Sequence, residues 1–151
     1  MKIERLILIP FLGNYLINNV VAALAALFPA SQTGGLLTLQ YVMFVVFALV
    51  ASGLIAWWYL GAESRGMILK AGAIFGVVGF LVSVATTFVS GLAGVILQTG
   101  SLAEAAGVLP RFLPFLWNWS TLVVLAYWVI PAVVVGWYLQ MKSGKAQSPM
   151  M

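Results

Sequence analysis

Of the 151 residues 64% are hydrophobic and 7% charged, against roughly 45–50% and 25% in an ordinary soluble domain. The seven basic and three acidic residues leave a formal net charge of +4, but the basic residues stand singly and form no stripe that could track phosphates, so nucleic acid is not expected as a partner. His and Cys are absent, which removes disulfides, thiolate nucleophiles, the usual metal ligands and the usual proton shuttle.

Three stretches contain no Asp, Glu, Lys or Arg: Leu6–Ala62 (57 residues), Ala71–Ala103 (33) and Phe112–Met141 (30). A bilayer's hydrocarbon core takes about 20 apolar residues of helix. The pattern predicts an all-α integral membrane protein, a single membrane domain over 1–151 folded as a four-transmembrane-helix bundle. The first stretch holds two crossings, separated by the turn-rich segment Pro29-Ala-Ser-Gln-Thr-Gly-Gly35.

The first span is placed at 6–28. Its charged start resembles the n-region of a signal peptide, but the apolar run is longer than an h-region and contains Asn14, Asn18 and Asn19, so a retained helix is expected. Steps of four set Asn18 one turn beyond Asn14. An unpaired amide in hydrocarbon is costly, so these residues need protein or a wet cavity. By depth, Ser52, Ser83, Thr86, Thr87 and Tyr127 are available partners. Two readings follow: interhelical hydrogen bonding, or a neutral polar pocket formed by Asn14, Asn18, Asn19, Ser83, Thr86, Thr87 and Tyr127.

The second span, 36–60, closes on the interfacial anchors Trp57, Trp58 and Tyr59. The third, 67–97, exceeds a bilayer's thickness and is expected to tilt, protrude or break near Gly91 and Gly94. Along it Gly72, Gly76, Gly79, Ser83, Thr86, Ser90 and Ala93 recur at alternating steps of four and three. That spacing makes one face of small residues, where helix backbones can approach closely. Packing within the bundle is the simpler reading of this seam, and a subunit interface is the alternative.

In the following loop Ser101 and Glu104 have the spacing of a capping box and predict a short interfacial helix at 102–108. The fourth span, 112–141, contains Pro131, which should kink it. Trp137-Tyr138-Leu139 repeats Trp58-Tyr59-Leu60; recurring interfacial anchors explain the match without an internal duplication.

Lys2, Arg5, Arg65, Lys70, Lys142 and Lys145 fall on one side of such a bundle and only Arg111 on the other. The excess of basic residues predicts both termini in the cytoplasm. Many small four-span bacterial proteins share this outline, which makes a prokaryotic plasma membrane the expected location.

No carboxylate lies inside a span, and Ser52, Ser83 and Ser90 have no base positioned to activate them, so neither an enzyme nor proton coupling is expected. No cofactor or metal is implied. The expected function is that of a non-catalytic membrane protein acting through helix packing, as an accessory subunit of a larger membrane complex or as a homo-oligomer. Its expected partners are the lipid bilayer and other membrane subunits or itself. The alternative is a carrier or channel for a small neutral or weakly polar solute through the Asn-lined pocket.

Overall fold

The computed structural model describes residues 3–27, 39–62, 67–101 and 118–145, together with isolated positions between the last two segments. Within them lie four helices: α1 (Ile3–Leu27), α2 (Leu39–Leu60), α3 (Ile68–Thr99) and α4 (Trp119–Lys145). No strand occurs among the described residues. Each helix is long and apolar enough to cross a membrane. Hydrocarbon offers no water to a bare N–H or C=O, so a spanning segment must bond its backbone internally, as a helix does.

The exterior is inverted relative to a soluble protein. Leu54, Val89, Leu81 and Val134 are 67%, 62%, 56% and 54% exposed, and water would not tolerate apolar surface on this scale. Lipid would. Length, composition and this outer surface together mark an integral membrane protein.

Helix ends differ from the charge-free limits because absence of charge reports compatibility with lipid, whereas backbone bonding decides where a helix stops. α1 extends through Arg5 and Glu4 to Ile3. α4 begins only at Trp119, where the Asn118 carbonyl accepts the Thr121 N–H at 3.0 Å, and runs on through Lys142 to Lys145. α4 passes through Pro131 without interruption. α3 is likewise unbroken at Gly91 and Gly94. Its 32 residues make a rod of about 48 Å, longer than a hydrocarbon core of about 30 Å.

The two ends of α3 are closed by different devices. At its start the Leu69 N–H bonds the Gln140 side-chain oxygen on α4 at 3.1 Å. At its end Gly100 takes the left-handed conformation (φ 68°) and donates its N–H to the Ile96 carbonyl, a backbone state that a side chain would strain. Part of the predicted interfacial helix at 102–108 lies outside the described residues; Ala103, Glu104, Ala106 and Gly107 within it are helical. The Glu104 N–H donates to Ser101 Oγ at 3.3 Å.

In the bundle α1 packs on α2 and α3, and α4 packs on the same two, most extensively on α3. α1 and α4 therefore lie diagonally opposite. The core is aromatic at its centre: Tyr59 of α2 stacks on Phe75 of α3 at 4.6 Å between centroids, and Phe75 meets Trp128 of α4 edge-on at 6.2 Å. Phe75 and Trp128 are wholly buried.

Candidate functional site

Polar groups converge near the middle of α3, where side chains from α1 and α4 both reach it. Asn14, Ser83 and Ser52 are the buried residues of this kind among those described. Trp128 Nε1 donates to Ser83 Oγ at 2.7 Å, and Ser83 in turn donates to Asn14 Oδ1 at 2.9 Å. Asn14 Nδ2 donates to Thr86 Oγ1 at 2.8 Å, and Thr86 passes its own proton to the Val82 carbonyl at 2.8 Å. The series starts on an indole, which can only donate, and ends on a carbonyl, which can only accept. Three helices are joined by it without any charge.

Ser52 of α2 solves a separate problem. Proline lacks an N–H, so Pro131 leaves the carbonyl one turn before it, that of Tyr127, without its helical partner. Ser52 Oγ reaches across and donates to the Tyr127 carbonyl. The Leu49 carbonyl on its own helix, at 3.1 Å, is the second acceptor within reach. Neighbouring hydroxyls satisfy broken transmembrane helices in this way. Gly53, the next residue, faces the same proline: a Cβ added there would sit 3.4 Å from Pro131 Cβ.

The small residues of α3 divide between two neighbours. A Cβ on Gly72 would lie 2.6 Å from the Ala132 carbonyl oxygen, one on Gly76 2.8 Å from Val129 Cα, and one on Gly79 2.4 Å from Trp128 Cε3. These pairings run in opposite chain directions, so α3 and α4 are antiparallel and in backbone contact. From α4, Gly136 enters the same interface, with a Cβ position 3.1 Å from the Ile68 carbonyl oxygen. Ser83 adjoins this contact through Trp128, while Thr86 bonds Asn14 of α1. Ser90 and Ala93 are exposed and take no part in it.

Of the residues assigned to the candidate pocket, Asn14, Ser83, Thr86 and Tyr127 are brought together; the Tyr127 ring is buried beside Trp128, 6.1 Å away. Asn18, Asn19 and Thr87 are exposed. Asn19 Nδ2 bonds the Tyr15 carbonyl of its own helix at 2.8 Å, and Thr87 Oγ1 bonds the Ser83 carbonyl of its own helix at 2.9 Å. Asn18 and Asn19 lie off the side of α1 that carries the buried Asn14, because α1 turns only part of its circumference to the bundle.

Sequence reasoning missed Trp128, Gly136, Gln140 and the service Ser52 gives to Tyr127. Two signals were available: a tryptophan far from either interface, and a carbonyl that Pro131 must orphan. The cluster offers hydrogen bonding between neutral groups. Among the described residues no three Asp or Glu side chains converge to hold a metal ion. No protein-family model, characterised protein or solved structure matches the chain.

Proposed function

We propose that this protein is a non-catalytic membrane subunit that works through helix packing, with a larger complex or with copies of itself. The observation that supports this reading is the pairing of the central polar groups with one another. Trp128, Ser83, Asn14 and Thr86 bond in series and Ser52 serves a broken helix, so these groups are engaged with one another rather than turned toward a solute. Asn18 is instead exposed within a spanning segment, where lipid cannot satisfy its carboxamide and another protein can.

In this reading both termini lie in the cytoplasm of a prokaryotic plasma membrane, as the distribution of basic residues favours. A cysteine at Ser143 should resist an impermeant maleimide applied to intact cells, and one at Thr33, in the first outer loop, should react. The reverse pattern would invert the orientation.

Purification from native membranes in mild detergent tests the function itself. A stoichiometric partner or a defined multimer is expected. A partner-free monomer that carries a small neutral solute across liposomes, with the flux abolished by Asn18→Leu, would overturn the reading in favour of a carrier or channel.

A further inference from the structure

The outward side of α1 carries a polar patch at membrane depth that the bundle does not use. Asn18 follows Asn14 by four residues, so it stands one turn on and about 40° farther round the helix. That rotation takes it off the buried stripe of Leu6, Pro10, Gly13, Asn14 and Ile17. Its carboxamide is exposed and makes no hydrogen bond among the described residues. Tyr15, 66% exposed, and Asn19 and Ala22 lie on the same side.

Depth makes this arrangement costly. Residue 15 is the midpoint of α1, so Asn18 is about 5 Å from the middle of the helix, well inside the hydrocarbon. Its side chain is too short to snorkel to the headgroups as a lysine can. A hydroxyl such as Ser90 can turn back to a carbonyl of its own helix, but a primary amide presents two donors and an acceptor, and one local bond does not satisfy them.

We propose that this face of α1 receives a second copy of the same chain, parallel to the first and related to it by a twofold axis along the membrane normal, with the two Asn18 carboxamides bonded to each other. The proposal rests on the packing reading above and names its partner. A carboxamide is self-complementary, each donating to the other's oxygen, and beyond Arg5 the face contains no charge that would call for an opposite one. Two copies inserted the same way also hold Asn18 at equal depth by symmetry, whereas an unrelated partner would have to supply an amide at that level. Ala22, one turn on, is small enough to let the helices approach. A twofold contact uses the same surface on both copies and closes at a dimer.

The chain has no cysteine, so one introduced thiol reports on the full-length protein in liposomes. Ala22→Cys, which retains Asn18, should form an intermolecular disulfide on oxidation. Val77→Cys, on the exposed flank of α3, should not. Adding Asn18→Leu should reduce the disulfide and raise the dimer dissociation constant, read by energy transfer between labelled copies, by about tenfold for two amide bonds. Asn18→Gln should preserve the dimer, and the melting of the isolated bundle should not change with Asn18→Leu.

Cross-linking at Ala22→Cys no faster than at Val77→Cys, or a dissociation constant indifferent to Asn18→Leu, would overturn the proposal. If the native protein still purified with a stoichiometric partner, the twofold dimer alone would be refuted. A solute-conducting monomer would refute the packing reading as well.

Discussion

Ser83 makes two bonds with one hydroxyl, accepting from Trp128 and donating to Asn14. Its removal therefore deprives the buried Trp128 indole N–H of that acceptor and the buried Asn14 amide oxygen of that donor. Ser83→Ala should destabilise the bundle by about 1–3 kcal/mol, measured by steric trapping in bicelles. Ser52 supports a sharper test. If its value lies in serving the carbonyl that Pro131 orphans, Ser52→Ala should be costly in the native chain and nearly harmless beside Pro131→Ala, which restores the missing N–H. The double-mutant cycle should show a coupling of about 1 kcal/mol; strict additivity would mean that Ser52 merely fills space. The polar residue types were legible in the sequence, and so was the need of Asn14 for a partner. Which hydroxyl it meets was not, because Ser83, Thr86 and Thr87 occupy similar depths and only the rotation of α3 separates them. Asn18 and Asn19 show the same limit: composition reveals an amide at membrane depth but not the side of the helix on which it sits.

For whole helices, the charge-free lengths announced four spans, and the small-residue spacing announced a close-packed side of α3. The extent of that side was hidden, since Ser90 and Ala93 continue the periodicity beyond the point where α4 is in contact. The ends were hidden too, because α3 is started by a glutamine from α4 and stopped by the backbone of Gly100. Two glycines of the same helix give contrasting expectations. Gly79→Ala forces a methyl against the buried Trp128 ring, where the space is 2.4 Å, and should cost about 1–3 kcal/mol by overpacking. Gly94 has nothing within 4 Å of its Cβ position, so Gly94→Ala should leave thermal melting unchanged or slightly raised. Gly76→Leu should be worse than Gly79→Ala, because Val129 Cα at 2.8 Å is backbone and the helices themselves must part; Val77→Leu, one residue on and 47% exposed, is its near-silent control.

For the molecule as a whole, chain order and spatial order disagree. α4 is synthesised after the other three, yet it contributes Trp128 to the polar series, Gly136 to the contact with α3 and Gln140 to the start of α3. Until it arrives, the three earlier helices hold Gly72, Gly76 and Gly79 against lipid tails rather than a partner, and Ser83 lacks its indole. A nascent chain in which α4 has not yet inserted should therefore lack the most extensive helix contact of the bundle. A ribosome that stops before Trp119 should release a short-lived fragment that membrane proteases clear quickly, and pulse–chase labelling should show the half-life restored when residues 110–151 are supplied as a separate chain. Seen this way, α4 doubles as a checkpoint: its arrival reports that translation has passed the bundle's fourth span.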